Sequence, residues 1–143
     1  DSLRQAFSGF APAAVALYDE KDVERLLADP GVIRNRLKIR AIVANARAFL
    51  AAQAAYGSFS AYIWGFTGGV TLKNHWRDTA EVPARTEISD KMSRDLKKRG
   101  FKFTGSVVCY AFMQAVGMVN DHVAGCFLYG DDLAAAPPDG VLR

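Results

Sequence analysis

The sequence predicts a single all-α domain, and three observations support this fold class. Apolar residues recur at spacings of three and four along most of the chain, which is the period of an amphipathic helix. No alternating run with a hairpin turn occurs, so no strong β-strand is predicted. The 143 residues contain no internal linker and no repeat, and this length is enough for one hydrophobic core.

The first two helices are predicted from their starting residues. Pro12 suits a first helical position and opens a short helix over residues 12–17. Asp19 can cap a second helix over residues 20–29, which carries apolar residues on one face. A turn at residues 29–31 ends it.

A long third helix is predicted from about residue 34 to residue 56, with Gly57 ending it. Its outer face carries cationic residues, and its inner face is apolar at helical spacing. The residues predicted to face inward are Ile39, Ile42, Val43, Ala46, Phe49, Leu50 and Gln53.

The second half of the chain contains two more helices of functional interest. After a short helix capped by Ser58, residues 67–85 form a long irregular loop, and such loops often carry function. A helix over residues 88–99, with Thr86 or Ser89 as cap, is followed by one over residues 106–119. The last helix is predicted to bury Val108, Phe112, Ala115 and Val116.

Composition excludes several classes of protein. No apolar run is long enough to span a membrane, no secretory signal opens the chain, and two cysteines do not make a disulfide framework. A reduced, intracellular and cytoplasmic setting is therefore predicted. The net charge of +3 is compatible with a nucleic-acid partner. The chain lacks an initiator methionine and opens on a helical pattern, so we expect further residues to precede it.

The turn between the last two helices has the features of a phosphate clamp. Glycines end one helix and begin the next, where unpaired backbone N–H groups and the helix dipole favour an anion. Cations surround the turn and Ser106 offers a hydroxyl, which together fit sequence-independent DNA binding. The candidate DNA-binding residues are Lys97, Lys98, Arg99, Gly100, Lys102, Gly105 and Ser106. The alternative is an ordinary αα-hairpin with a solvated basic end.

His122 and Cys126 are candidate metal ligands. Positions i and i+4 share a helix face, and imidazole and thiolate are both zinc ligands. A structural site needs four ligands, and Cys109, within an apolar helix, is typical of a core residue. The alternative is a capping histidine beside a buried cysteine.

Asp121 is the one candidate for a catalytic acid, base or electrostatic stabiliser. The alternative is that it caps the turn that follows. No Ser-His-Asp pattern, no Walker loop and no G-x-G-x-x-G motif after a strand is present. Most of the aromatic residues are predicted to lie in the core, and Trp76 in the long loop is predicted to lie at the surface.

Taken together, the run "LKKRGFKFTGSVVCYAFMQAVGMVNDHVAGC" closely resembles the end of the DNA-3-methyladenine glycosylase I family. The runs "DVERLLADPGVIRNRLKIRAIVANARAFL" and "SFSAYIWGF" resemble its central part, so the similarity leaves out only the C-terminal tail. The family belongs to the helix-hairpin-helix DNA glycosylase superfamily. Its members hydrolyse the N-glycosidic bond of 3-methyladenine in alkylated DNA, in base excision repair.

The resemblance implies roles for several residues. The hairpin over residues 97–106 becomes the DNA-phosphate clamp, and His122 and Cys126 match two of the family's four structural zinc ligands. The other two, a cysteine and a histidine, lie in an N-terminal segment of the family, as does its base-recognition glutamate. We therefore expect an N-terminally truncated chain that alone lacks a complete active site. The resemblance implies no catalytic role for Asp121.

The resulting organisation is a helical glycosylase domain over residues 1–130 and a flexible tail over residues 131–143. The predicted partner is double-stranded DNA with alkylated bases, bound by a monomer without any membrane association. Two other classes stay open: a non-catalytic helix-hairpin-helix DNA-binding module, and a helical protein-interaction domain in which the basic turn is incidental.

Overall fold

The computed structural model describes residues 2–129, and over this range the chain is mostly helical, as predicted. The α-helices are α1 (Ser2–Ala6), α2 (Pro12–Val15), α3 (Glu20–Ala28), α4 (Arg36–Tyr56), α5 (Phe59–Trp64), α6 (Glu87–Lys98) and α7 (Ser106–Ala115). Short 3-10 turns cover Ser8–Phe10, Gly65–Thr67 and Thr79–Glu81. The predicted tail, residues 131–143, lies outside the described residues.

Helix α4 is the central element because it packs in two hydrophobic clusters at once. Its N-terminal half joins the first cluster, formed with α1, α2 and α3. That cluster contains Phe7, Val15, Tyr18, Val23, Leu26, Val32, Ile39 and Val43. Its C-terminal half joins the second cluster, formed with α5, α6 and α7. That cluster contains Ala48, Ala52, Tyr62, Ile63, Met92, Leu96, Phe101, Cys109, Tyr110, Met113, Met118 and Val119.

The prediction of the buried face of α4 is correct in its N-terminal half and wrong near its C-terminal end. Ile39 and Val43 are buried, whereas Gln53 is exposed. The residues that actually bring the second half of α4 close to its neighbours are Ala48 and Ala52. Small side chains are weak markers in a hydrophobic pattern, so they did not define this face in the sequence.

Helix starts follow the capping residues. Asp19 caps α3 and Thr86 caps α6, each in a reciprocal capping box with the third helical residue. Ser58 caps α5 by accepting from the Ala61 N–H at 2.9 Å. These caps confirm the starts predicted for α3 and α5 and decide in favour of Thr86 at α6.

The long loop carries one strand of a short parallel pair that the sequence did not predict, and the other strand follows α7. Strand β1 (Leu72–Lys73) pairs with β2 (Val119–Asn120), with Leu72 opposite Val119. The Asn74 N–H donates to the Asn120 carbonyl, and the Ala124 N–H donates to the Trp76 carbonyl. Strands of two residues have no period to detect, and their pairing depends on contacts far apart in sequence.

The prediction for α7 is wrong about which face is buried. Val108, Phe112, Ala115 and Val116 are all exposed, and Val108 is 57% exposed. The buried residues are Cys109, Tyr110 and Met113, which pack in the second cluster. Helix α7 contains no charged residue, so its sequence has no polar face from which the orientation could be deduced.

None of the helices within residues 2–129 is long and apolar enough to cross a membrane.

Candidate functional site

The turn between α6 and α7 begins with a left-handed glycine. Gly100 has a φ of +91°, where a side chain is strained. The Gly100 N–H donates to the Lys97 carbonyl, and the Phe101 N–H donates to the Leu96 carbonyl, both at 3.0 Å. This is the hydrogen-bond pattern of a Schellman cap. The predicted helix stop is therefore confirmed, and it reverses the chain so that α7 packs against α6.

Asn45 of α4 holds the middle of this turn. Its side-chain amide donates to the Lys102 carbonyl at 3.1 Å, and its side-chain oxygen accepts from the Lys102 N–H at 2.7 Å. The Ser93 hydroxyl donates to the Thr104 carbonyl at 2.6 Å. The turn is thus fixed to both α4 and α6, which orders its backbone before any ligand arrives.

The predicted cations of the turn divide into two groups. Lys97, Lys98 and Lys102 are exposed and form no ion pair within the described residues. Arg99 is used internally. Its Nε lies 2.8 Å from Asp95 Oδ2, and its guanidinium lies 4.9 Å from the ring centroids of both Tyr56 and Tyr62.

Gly105 has no internal reason to be glycine. Its φ is −65°, which any residue adopts, and a Cβ placed on it meets no atom within 4 Å. It is the N-cap of α7 and has no side chain, so it supplies no side-chain acceptor to the first N–H groups of that helix. Because Gly105 has no side chain, it leaves space for a ligand to approach these N–H groups.

Ser106 is less available than its position predicts. Its hydroxyl lies 2.8 Å from the Ser89 hydroxyl, which itself donates to the Thr86 carbonyl at 2.9 Å. Since the single Ser89 hydroxyl proton is used in that bond, Ser106 is the donor of the pair. The Ser106 proton therefore ties α7 to α6.

Asp121 accepts four hydrogen bonds, two from the long loop and two from α7. Its Oδ1 accepts from Asn74 Nδ2 at 2.7 Å and from the Trp76 indole at 2.8 Å. Its Oδ2 accepts from the Tyr110 hydroxyl at 2.6 Å and from Gln114 Nε2 at 2.9 Å. The predicted cap of the next turn is not formed by Asp121, since the His122 N–H donates to Asn120 Oδ1 instead.

These bonds determine the charge of the carboxylate. Burial alone raises the pKa of Asp121, but the hydrogen bonds from its four donors outweigh burial and lower the pKa below its usual value. The pKa of Tyr110 is raised, mainly by burial and then by its bond to Asp121. Asp121 is therefore an anion with about four acceptor positions, all of them occupied.

The side chains of His122 and Cys126 lie close to each other. Cys126 Sγ lies 3.6 Å from His122 Nδ1, although the segment that carries them is not a regular helix. Cys109 is buried in the second cluster, and burial raises the pKa of its thiol. His75 instead lies against Tyr129, with 2.8 Å between Nδ1 and the hydroxyl. Residues 2–129 contain no group of three or more potential ligands.

The roles of two asparagines were not predicted from the sequence. Asn45 fixes the turn, and Asn74 holds Asp121. The signal for Asn45 is its position: asparagine is unfavourable within a helix, so one in the middle of α4 indicates a tertiary role. Asn74 lies in an irregular loop, where asparagine is common and gives no such signal.

The chain is similar to known proteins over most of its length. The family model for methyladenine glycosylase matches residues 1–129. The chain is 46% identical over 129 residues to DNA-3-methyladenine glycosylase 1 of Escherichia coli K12, covering 90% of this chain and 69% of the relative. It is 42% identical over 126 residues to DNA-3-methyladenine glycosylase of Haemophilus influenzae, covering 88% and 68%.

A solved structure is similar as well. It is a crystal structure of a variant of 3-methyladenine DNA glycosylase I in complex with 3-methyladenine. Its TM-score is 0.85 at 31% identity, covering 91% of this chain and 70% of that one. The family that the sequence resembles is thus confirmed over residues 1–129: the chain belongs to the methyladenine glycosylase family.

Proposed function

We propose that the protein hydrolyses the N-glycosidic bond of 3-methyladenine in alkylated DNA and so acts in base excision repair. The observation that carries this proposal is the 46% identity to a DNA-3-methyladenine glycosylase across nearly the whole chain. The substrate agrees with the intracellular, cytoplasmic location predicted from the sequence. One copy carries the whole clamp, which supports action as a monomer.

The turn at residues 97–106 acts as a helix-hairpin-helix phosphate clamp. Two observations support this role: Gly105 supplies no side-chain acceptor to the first N–H groups of α7, and a Cβ added to Gly105 would meet no other described residue within 4 Å. Helix N-termini bind phosphate oxygens well. The free cations Lys97, Lys98 and Lys102 add sequence-independent attraction. Arg99 and Ser106 contribute to the clamp by supporting its structure.

The chemical step makes modest demands on the enzyme. A nucleotide is extruded from the duplex into a binding pocket, and methylation at N3 makes the purine cationic and a good leaving group. Selective binding of the cationic base then supplies much of the acceleration. Asp121 has no acceptor position left for a proton or a water, so we assign it a structural role.

We also propose that His122 and Cys126 hold a structural zinc. In a tetrahedral site with Zn–S of ~2.3 Å and Zn–N of ~2.0 Å, the two ligand atoms lie about 3.5 Å apart. The observed separation of Cys126 Sγ and His122 Nδ1, 3.6 Å, fits this value. The remaining two ligands come from outside residues 2–129. With four protein ligands the metal has no open position, so it stabilises the fold and takes no part in hydrolysis.

Release of the base from methylated duplex DNA tests the main proposal. The full-length protein is incubated with DNA that carries 3-methyladenine, and the free base is measured by chromatography. We expect release of 3-methyladenine and a matching number of abasic sites. Binding to DNA without release of any methylated base would contradict the proposal and favour the non-catalytic DNA-binding module.

The clamp predicts a specific effect of its lysines. Changing Lys98 and Lys102 together to glutamine should weaken binding to all duplex sequences alike, because phosphates carry no sequence information. The dependence of log Kd on log salt should become shallower by about 1 for each lysine. Lys38→Gln is the matched control, since Lys38 is exposed on α4 and forms no ion pair within residues 2–129. An unchanged salt slope in the double variant would rule out the assignment.

The metal proposal predicts loss of zinc on changing one ligand. His122→Ala in the full-length protein should lower the zinc content measured by atomic emission to well below one per chain, because three ligands hold the ion less tightly. His75→Ala is the control and should keep its zinc. Full zinc occupancy in the His122 variant would exclude His122 as a ligand.

A further inference from the structure

Phe103 combines two features that are unfavourable for a phenylalanine. Its φ is +58°, in the left-handed region where a large side chain is strained. Its side chain is also 63% exposed, and its ring has no aromatic partner within residues 2–129. Neither burial nor ring stacking therefore offsets the backbone strain at this position.

The two other non-glycine residues with positive φ have internal explanations. Ser8 has a φ of +52°, and its hydroxyl lies 2.7 Å from the Tyr18 hydroxyl. Phe10 has a φ of +60°, and its ring stacks on Phe7 with centroids 5.7 Å apart. Phe103 is the one of these three whose side chain makes no such contact.

The backbone on both sides of Phe103 is held from outside the turn. Asn45 binds both backbone groups of Lys102, and Ser93 donates to the Thr104 carbonyl. Strained conformations persist where the surroundings fix them in this way, and they concentrate at ligand-binding sites. The exposed ring of Phe103 is therefore carried by an ordered stretch of backbone, between Lys102 and the N-cap of α7 in the sequence.

We propose that Phe103 is an apolar DNA contact of the clamp, and this inference rests on the proposed function. Its ring packs on the deoxyribose carbons beside the phosphate held by Lys102 and the start of α7. The ring has no group that can bond to a phosphate, whereas the sugar is the nearest apolar surface of the strand. This contact adds affinity for any duplex and is independent of ionic strength.

Phe103→Gly tests the contact because glycine accepts the left-handed backbone. Binding of the full-length variant to undamaged duplexes of unrelated sequence should weaken by about 5-fold to 20-fold. The salt slope should stay unchanged, since no charge is removed. The Tm should be unchanged or rise by a few degrees because the strain is relieved. Phe103→Asn, which also tolerates positive φ, should weaken binding similarly.

Phe10→Gly is the matched control, since it changes the same residue type in the same backbone conformation and should leave DNA binding unchanged. Binding by both Phe103 variants that equals that of the unmodified protein would overturn the inference. An effect that depends on the sequence at the binding site would also overturn it, because it would indicate insertion between bases. If Lys102→Gln still weakens binding while the Phe103 variants do not, the clamp stands and only this inference fails.

Discussion

At the scale of single residues, Asp121 shows why a carboxylate near a proposed active site is not automatically catalytic. A general base needs a free lone pair directed at the proton that it removes. All of the acceptor positions of Asp121 are taken by Asn74, Trp76, Tyr110 and Gln114. These donors belong to the long loop and to α7. The carboxylate therefore joins two segments that would otherwise be linked mainly by the strand pair.

Asp121→Asn should destabilise the protein without abolishing hydrolysis. The asparagine amide has the size of the carboxylate but no charge. Its NH2 group would face two hydrogen-bond donors, and it cannot accept a hydrogen bond from either. We expect unfolding in urea to show a loss of about 2–3 kcal/mol. Base release per folded molecule should fall by less than about 10-fold, whereas loss of a catalytic acid or base costs about 100-fold or more.

The pH dependence of this variant provides a second measurement. Because the folded-state pKa of Asp121 lies below its unfolded value, the charged form stabilises the fold. That stability is fully present above the unfolded pKa of ~3.9 and is lost as pH falls through the folded pKa. Asp121→Asn should therefore unfold with a shallower dependence on pH below about 4. An unchanged acid profile would contradict this account. Asp90→Asn is the control, since the Asp90 side chain forms no hydrogen bond or ion pair within residues 2–129.

Arg99 and Ser106 illustrate what a sequence does not reveal about single residues. Their positions beside the turn correctly indicate a cationic, polar neighbourhood. Apart from the local pair of Arg99 with Asp95, their partners come from other elements: Tyr56 and Tyr62 for Arg99, and Ser89 for Ser106. Which polar groups remain free for a ligand depends on these tertiary contacts.

At the scale of elements, Gly105 separates folding from binding at the start of α7. Gly105→Ser places a preferred N-cap residue there, and its Cβ meets no atom within 4 Å. We expect thermal stability to stay the same or rise slightly. Affinity for duplex DNA should fall by about 10-fold, because the hydroxyl occupies the N–H groups proposed to bind a phosphate and fills their approach.

The comparison variant for this element is Gly100→Ala. Gly100 has a φ of +91°, so alanine should lower stability by about 1 kcal/mol through strain. Gly105→Ser should thus lower the DNA affinity and keep the stability, whereas Gly100→Ala should lower the stability of the fold. Equal DNA affinity for Gly105→Ser and the unmodified protein would show that the start of α7 does not bind phosphate.

Helix starts and stops could be predicted from the sequence because they depend on local chemistry. Asp19, Ser58 and Gly100 act within a few residues of their own positions. The orientation of α7 could not be predicted, because that helix is mostly apolar and has no charged residue, so tertiary packing selects the buried face. The β1–β2 pair was also out of reach, since its two strands are short and distant in sequence.

At the scale of the whole molecule, the net positive charge is concentrated in one part of the chain. Residues 87–102 contain six cationic side chains and three carboxylates, a net charge of +3 that equals the net charge of the entire chain. The positive field therefore concentrates around α6 and the clamp, which favours approach of DNA in one orientation. On α4, by contrast, Arg36 and Arg40 are paired with Glu20 of α3.

Packing joins the two hydrophobic clusters through α4, which predicts that they unfold together. Ile39 is fully buried in the first cluster, whereas Tyr110 and Met113 belong to the second. Ile39→Ala should destabilise the protein by about 2–4 kcal/mol. One continuous helix contributes to both clusters, so both should unfold in one step. Amides of α7 that exchange only through global unfolding should therefore lose as much protection free energy as the whole protein loses in stability.

Met113→Ala is the reciprocal variant. It should reduce protection in α3, which lies in the first cluster, by the same free energy that it removes from α7. If α7 keeps its protection in Ile39→Ala, the clusters unfold separately and the clamp can stay ordered while the first cluster opens. If protection falls equally on both sides, α4 transmits stability from the first cluster to the hairpin, with Asn45 as the side chain that reaches the turn itself.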